Sequence, residues 1–247
     1  MNHNYKSLLQ KIYSLKTVAD LHSKQATPQL LRCTTRFKKL QKLSEIQGNP
    51  FNYYDIIHVA GTNGKGSICN RLAHTLHHSN KKVGLLTSPH INSFRERIQV
   101  DNEMISKEEL VEIYENLINL TPEDCQPISL FMFHTLVAFE YFRRKKVDVA
   151  IIESGIGGYL DISNIITNKK LAIVTSIGYD HCNILGDTLE KIAEDKCRIF
   201  RKNCPSLIGP TVNHDIAKKM ADSLKSPLYS ISSKEAYKLD YSQVNNL

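Results

Sequence analysis

HVAGTNGKGS, residues 58–67, follows the apolar run YYDII and places three glycines around one lysine. Glycines let the backbone turn sharply and direct several N–H groups into one concavity, which an anion can fill. The apolar run predicts a strand over 55–60, and KGSICNRLAHTLHHSN after the loop has helical spacing. Lys65 and Ser67 would then lie at a helix N-terminus, where free N–H groups and the helix dipole favour phosphate.

The spacing of this loop differs from that of the standard phosphate loop. In G-x-x-x-x-G-K-[ST] the lysine lies six positions after the first glycine, whereas Lys65 follows Gly61 by four. Gly66 also stands where the standard loop has its Mg²⁺-binding hydroxyl. The loop therefore favours a nucleotide or phosphate site, with a turn of purely structural role as the alternative.

The positive charge of the chain is concentrated in its first fifth. The 247 residues carry a formal charge of +7, and residues 1–50 hold nine Lys or Arg against Asp20 and Glu45. TTRFKKLQKLSEIQG predicts an amphipathic helix with its lysines on the solvated face. Its apolar residues recur every three positions: Phe37, Leu40, Leu43 and Ile46. We therefore divide the chain into a basic helical segment (1–50) and an α/β domain (51–247). No nucleic-acid partner is expected, because no recognition motif accompanies the charge.

Composition also bears on location and redox state. No apolar run approaches the roughly 20 residues that a bilayer-spanning helix requires, and the first residues lack the continuous apolar segment of a secretory signal. We expect a cytoplasmic protein without a membrane partner. The cysteines form no C-x-x-C pair, which favours reduced thiols over zinc ligands or disulfides. The six are Cys33, Cys69, Cys125, Cys182, Cys197 and Cys204.

Strand-like and helix-like segments alternate after residue 50. Short runs rich in β-branched residues predict strands covered on both faces, at 81–88, 147–154 and 170–178. Helical patterns lie between and after them, at 105–120, 128–146 and 188–202. Ser106 with Glu109, and Asp187 with Glu190, are placed to open two of these helices. The alternation continues on a smaller scale from 206 to 232, so we predict an α/β fold with a mainly parallel sheet flanked by helices.

Polar residues collect where the predicted strands end. Ser88 follows one strand, Glu153 ends another, and Asp180 and His181 follow a third. Ligands of open α/β sheets bind beyond the carboxyl ends of the strands. Taken singly, a glutamate there is usually solvated and a histidine usually structural. Together with a phosphate loop, a hydroxyl, a carboxylate and an imidazole supply ligands for Mg²⁺, with Ser88 as the candidate hydroxyl.

Four ordered motifs carry a resemblance to a known family. They are HVAGTNGKGS, TSPHINSFRERIQVDNEMIS, ESGIGGYLDISNII and TSIGYDHCNILGDTLEKIAEDK. Together they resemble the folylpolyglutamate synthase and dihydrofolate synthase family of the Mur ligase group, over about residues 48–205. The resemblance implies the ATP-binding central domain of Mur ligases, which is similar to P-loop NTPases.

The resemblance also implies an activity. ATP would phosphorylate a substrate carboxylate, and the amino group of L-glutamate would then displace phosphate from the acyl phosphate to form an amide. The substrate would be folate, or dihydropteroate for the dihydrofolate synthase reaction, with Mg²⁺ as the metal. The ATP-binding residues implied are Gly61, Thr62, Asn63, Gly64, Lys65, Gly66 and Ser67.

Further site residues follow from the same resemblance. Ser88 and Glu153 would hold one Mg²⁺ and His181 a second, while Lys65 would neutralise phosphate charge. The lysine that matches Lys196 is carbamylated in the family, so Lys196 is expected to be carbamylated and catalytic. The pterin end of the substrate would contact Phe131, Asp161 and Ile162. On the residues alone, Asp161 equally suits a turn cap and Phe131 the core.

The chain departs from the family pattern in two ways. Tyr159 stands where the family often has Arg, Met132 replaces a frequent Glu, and Cys197 and Arg198 replace small residues. Nothing after Tyr241 resembles the second domain, which binds glutamate in the family. We therefore weigh a ligase completed by a separate C-terminal domain, an inactive nucleotide-binding remnant, and another Mur-type amide ligase. This chain is expected to be a monomer, which a separate C-terminal domain would complement in the first case.

Overall fold

The structure is a computed structural model that describes residues 3–15, 29–125, 129–159 and 161–231. Its centre is an eight-stranded sheet with the order β4-β3-β2-β5-β1-β6-β7-β8. The strands are β1 (Asp55–Ala60), β2 (Val83–Leu86), β3 (Ile98–Val100), β4 (Glu103–Met104), β5 (Val149–Glu153), β6 (Leu171–Val174), β7 (Ser206–Ile208) and β8 (Leu228–Ser230). Neighbouring strands run parallel except for the β2–β3 and β3–β4 pairs. The predicted α/β class with a mainly parallel sheet is confirmed.

Helices cover the sheet. They are α1 (His3–Ser14), α2 (Gln29–Ile46), α3 (Lys65–His78), α4 (Lys107–Leu120), α5 (Leu130–Lys145), α6 (Cys182–Leu185), α7 (Leu189–Cys197) and α8 (His214–Ser223). Short 3₁₀ turns occur at Pro50–Asn52, Phe94–Arg97, Glu123–Cys125 and Ile162–Ile165. In the described part of the chain, no helix combines the length and apolar character that a bilayer crossing needs.

The apolar core lies on both faces of the sheet. Strand β1 lies between β5 and β6, and its last two residues, Val59 and Ala60, are fully buried. Helix α5 is apolar around most of its circumference and is buried from Met132 to Phe142, as expected for a helix packed on several sides. Smaller apolar clusters lie under α3 and under α7 and α8.

The N-terminal helices contribute to the same core as the sheet. Leu8 and Ile12 of α1 and Leu40 and Leu43 of α2 are buried in the cluster that contains α5. The amphipathic helix predicted around Leu40 is confirmed, although Ile46 at its end is 40% exposed. The division of the chain at residue 50 stays a prediction.

The Ser106–Glu109 capping box is present as predicted. The helix predicted over 188–202 needs two corrections, one at its start and one at its end. Thr188 caps α7 by accepting from the Lys191 amide, while Asp187 pairs with the Lys191 side chain. The helix ends at Cys197, and a turn at 198–199 follows it. The antiparallel strands β3 and β4 were not predicted, since two or three residues are too few to show a period. Of the six cysteines, five are described and all are free thiols.

Candidate active site

The glycine loop leaves the carboxyl end of β1, between the two halves of the sheet. Gly64 has φ of +80° and caps α3, which begins at Lys65. Gly61 has φ of +151°, and a Cβ there would lie 2.0 Å from Thr175 Oγ1. Both positions therefore require glycine, one for its conformation and the other also for the close approach of a neighbouring loop. Gly66 and the exposed Ser67 follow in the first turn of α3.

Residues 175–178, which follow β6, hold the glycine loop in place. The Thr62 amide donates to Ser176 O at 2.8 Å, and the Thr62 hydroxyl both donates to Gly178 O and accepts from its amide. Asn63 O accepts from the Thr175 hydroxyl at 2.7 Å, and the Asn63 amide donates to Ser176 Oγ. This support was not predicted from the sequence. Its signal was the pair of hydroxyl residues directly after a buried strand.

Two lysines converge on one carbonyl of the loop. Lys65 Nζ donates to Gly61 O at 3.0 Å and to Thr62 O at 3.2 Å. Lys196 Nζ, from the last turn of α7, donates to the same Gly61 O at 3.0 Å. Lys196 is only 2% exposed. Burial and the positive charge of Lys65 lower the pKa of Lys196 to about 8. The loop thus has two ammonium groups beside the backbone that a phosphate would approach.

The double glycine after β5 sets the position of Lys196. The Gly158 amide donates to Asp195 Oδ2 at 2.8 Å, and the Tyr159 amide donates to Asp195 O at 3.1 Å. A Cβ at Gly158 would lie 2.7 Å from the carbonyl oxygens of Asp195 and Lys196. Only a glycine backbone can therefore pack this tightly against the end of α7. The contact fixes the helix turn from which the lysine reaches the loop.

A buried carboxylate faces the start of α3. Glu153, at the end of β5, is 4% exposed, and its Oε2 accepts from the Ser88 amide at 2.9 Å. A Cβ at Gly66 would lie 3.5 Å from the same oxygen. Burial raises the pKa of Glu153, while the Ser88 amide and the charge of Lys65 act in the opposite direction. The predicted metal ligands Ser88 and Glu153 are therefore brought together beside the loop.

His181 lies in a more open position. It has φ of +48°, precedes α6, and places Nε2 3.6 Å from Asp180 Oδ1 with its side chain 44% exposed. Over the described ranges, no three His, Cys, Asp or Glu side chains are grouped closely enough to hold a metal. One carboxylate with a hydroxyl residue still suits Mg²⁺, which keeps several waters and takes other ligands from phosphate. The structure thus pairs Ser88 with Glu153 and leaves His181 with its neighbour Asp180.

The predicted substrate residues meet at the turn after β5. Asp161 is buried and accepts from the Gly155 and Ile156 amides, each at 2.9 Å, and from the amide and hydroxyl of Ser163. Its carboxylate therefore caps this turn. A Cβ at Gly155 would lie 2.5 Å from the Phe131 ring, so that ring covers the same turn. Ile162 is 5% exposed and belongs to the main core.

A polar network that was not predicted from the sequence lies beneath this turn. His58 of β1 is fully buried, and its Nε2 lies 2.7 Å from Ser163 Oγ and 2.8 Å from Ser154 Oγ. Burial and the nearby charges of Lys169 and Arg201 lower its pKa well below the usual value, so the ring is neutral. The network connects β1 through Ser163 to the Asp161 carboxylate. A histidine inside an apolar strand was its only signal.

Comparison with known proteins gives the class of the domain. Residues 133–246 match the Mur ligase middle domain. The matched range holds the parallel strands from β5 onward and α7 with Lys196, and it begins after the glycine loop.

Individual relatives narrow the class to a family. The folylpolyglutamate synthase (FPGS) of Lacticaseibacillus casei is 39% identical over 202 residues, which are 80% of this chain and 46% of that protein. The dihydrofolate synthase/folylpolyglutamate synthase of Haemophilus influenzae is 39% identical over 169 residues, covering 67% and 38%. An FPGS–AMPPCP–folate complex superposes with a TM-score of 0.81 at 32% identity, covering 92% of this chain and 54% of that one. The chain belongs to the folylpolyglutamate synthase and dihydrofolate synthase family of the Mur ligase superfamily. It spans less than half the length of these two relatives and about half that of the solved structure.

Proposed function

We propose that this chain carries the ATP-binding part of a ligase that adds L-glutamate to folate, and that also accepts dihydropteroate. The convergence of Lys65 and Lys196 on Gly61 O, beside the buried Glu153, is the observation that carries this proposal. Relatives named folylpolyglutamate synthase and a structure that contains AMPPCP and folate support the choice of substrates.

The glycine loop and the residues around it have separate roles in this proposal. The backbone of 61–67 and the Lys65 ammonium neutralise the phosphate charge that moves during transfer. Glu153 and Ser88 hold Mg²⁺ on the side of α3, and His181 serves a second Mg²⁺ from the segment after β6. Bound Mg²⁺ supplies further neutralisation of phosphate charge. Phe131 and Asp161, with Ile162, frame the turn against which the pterin end lies.

The reaction has two steps. A carboxylate oxygen of the substrate attacks the γ-phosphorus of ATP, which releases ADP and leaves an acyl phosphate. The glutamate amine then attacks the acyl carbon, phosphate leaves with the bonding electrons, and the amine loses a proton to give the amide. Because the matched relatives are about twice as long as this chain, the glutamate-binding groups are assigned to a further domain, on this or another polypeptide. The proposed enzyme acts in the cytoplasm on small soluble anions and contains a single copy of this chain.

Carbamylation of Lys196 is part of the proposal. The ammonium first loses one proton, the neutral amine then attacks carbon dioxide, and loss of a second proton from nitrogen leaves a carbamate anion in place of the cation. A pKa of about 8 leaves roughly a tenth of Lys196 neutral at pH 7, far more than for an ordinary lysine. The intact mass of native protein from bicarbonate buffer is expected to exceed the sequence mass by one carbon dioxide. Lys196→Met should lose that increment, and Lys191→Met, an exposed lysine on the same helix, should keep it.

The first test is titration calorimetry of ATP with Mg²⁺ into the purified chain. Lys65→Ala is expected to weaken binding at least tenfold, because it removes a charge-assisted contact to phosphate. Lys81→Ala is the matched control, since Lys81 is exposed in the turn after α3. Absence of binding by folded wild-type protein would contradict the proposal. Binding without phosphate release in the presence of folate and glutamate is the result expected for this chain alone, because the glutamate-binding groups are assigned to a further domain.

A further inference from the structure

A second concentration of positive charge lies at a cavity of about 700 Å³ beside α2. The cavity has an apolar part, with Phe37, Phe200 and Leu224, and a basic part. The basic residues are Lys38, Arg198 and Arg201, and none of the lining residues is Asp or Glu. None belongs to the glycine loop, to the Ser88–Glu153 pair or to Lys196. The volume falls in the range of small-molecule sites in proteins.

Arg201, which lines the cavity, and Lys169, which does not line it but shares a partner with Arg201, hydrogen-bond only to neutral groups. Asn164 Oδ1 accepts from Arg201 Nη2 at 2.6 Å and from Lys169 Nζ at 3.0 Å. Lys169 is buried, and no carboxylate of the described residues lies within ion-pair distance of either side chain. Lys169 also donates to Ile199 O, and Arg201 also donates to backbone carbonyls, so every acceptor is neutral. Burial and the charge of Arg201 lower the pKa of Lys169 well below its usual value, so the positive charge that favours an anion in the adjoining space is that of Arg201.

Arg198 presents its guanidinium at the open side of the cavity. Its central carbon lies 4.4 Å from the centroid of the Tyr159 ring, and both side chains are exposed. Stacking on an aromatic ring orients the planar guanidinium and leaves its edge free to donate. Asp195, the acid that interacts electrostatically with Arg198, lies outside the cavity lining and accepts from the Gly158 amide.

We propose that this cavity binds an organic carboxylate with an apolar body, at a site separate from the glycine loop. The apolar body packs against Phe37, Phe200 and Leu224. The carboxylate accepts from Arg198, while Arg201 supplies further positive charge. The site does not depend on the proposed ligase activity, because no residue is shared between the two.

The test uses a matched pair of probes, naphthalene carboxylate and the uncharged naphthalene carboxamide, titrated into the whole chain with fluorescence detection. The carboxylate is expected to bind at least tenfold more tightly than the amide, since charge-assisted hydrogen bonds to Arg are strong. Saturating ATP and Mg²⁺ should change its affinity less than twofold. Naphthyl phosphate, titrated in the same way, distinguishes a phosphate site if it binds more tightly than the carboxylate.

Variants assign the effect to the cavity. Arg198→Ala, at an exposed side chain, is expected to weaken the carboxylate about tenfold and to leave the carboxamide unchanged. Lys202→Ala removes an exposed charge nearby that does not line the cavity, and should alter binding less than twofold. Equal affinity for the two probes, no binding of either, tighter binding of the phosphate, or an unaffected Arg198→Ala variant would overturn the proposal.

Discussion

Lys196 and Lys169 are both buried lysines that donate to backbone carbonyls, but their surroundings differ. Lys196 shares Gly61 O with Lys65, and nearby aspartates, Asp195 first, partly offset the cost of burying it. Lys169 donates to Asn164 Oδ1 and to Ile199 O, beside Arg201. In both cases burial and a neighbouring cation lower the pKa.

The difference shows that burial of a lysine does not by itself mark a reaction site. Lys196 reaches the carboxyl end of β1, where the glycine loop, Glu153 and Ser88 also meet. Lys169 precedes β6 and contacts only neutral acceptors. Position relative to the strand ends therefore separates the two regions, because ligands of open α/β sheets gather at the carboxyl ends.

Asp161 acts on the surroundings of both Lys196 and Lys169. Its replacement is therefore expected to have the largest effect of the changes considered. Its charge raises the pKa of each buried lysine, and its carboxylate accepts two amides of the turn after β5. Asp161→Ala is expected to lower the free energy of unfolding by about 3 kcal/mol, because buried N–H groups lose their acceptor. Urea denaturation measures the change, and Asp161→Asn, which keeps one acceptor oxygen, should lose less. A stable Ala variant would show that the turn does not depend on this carboxylate.

Lys196 should give a pH dependence of stability in buffer free of carbon dioxide. Its folded pKa of about 8 lies below the unfolded value of about 10.4, so the unfolded state binds more protons between these values. The cost of burying the charge is present below about pH 8 and disappears as the pH rises through 10.4. Relative to Lys196→Met, the wild type is expected to gain about 2 kcal/mol of unfolding free energy between pH 7 and 9.5. An unchanged difference between the two proteins at both pH values would mean that Lys196 titrates normally.

Lys169 should matter for stability alone. Lys169→Met keeps the aliphatic length and removes the bonds to Asn164 and Ile199 O, but it also relieves repulsion with Arg201. We expect the unfolding free energy to fall by only about 1 kcal/mol, with ATP affinity in calorimetry within twofold of wild type. A large loss of ATP affinity would show that the two regions act together.

Much of the fold could be predicted because its signals are local. The strand over 55–60, the glycine loop and the capping box at Ser106 lie where their patterns indicate. The pairing of Ser88 with Glu153 was also accessible, since parallel strands end at one edge. The assignment of substrate and metal roles to these residues stays a prediction.

The remaining features depend on contacts between distant segments. Thr188 rather than Asp187 caps α7, because Asp187 is drawn to Lys191 one turn later. The buried position of Lys169 has no sequence pattern, since a lysine between two strands normally reaches solvent. The approach of residues 175–178 to the glycine loop follows from β1 and β6 being neighbours in the sheet, which a single sequence does not reveal.

The double hydrogen bond between Thr62 and Gly178 joins the glycine loop to the segment that leads to Asp180 and His181. Neither segment can open to solvent without breaking bonds to the other, so the two exchange their amide hydrogens as one cooperative unit. Binding of an anion that stabilises the loop is therefore expected to slow hydrogen exchange at the Gly178 amide. The Gly178 amide, in the segment that follows β6, would thus report on anion binding at the loop.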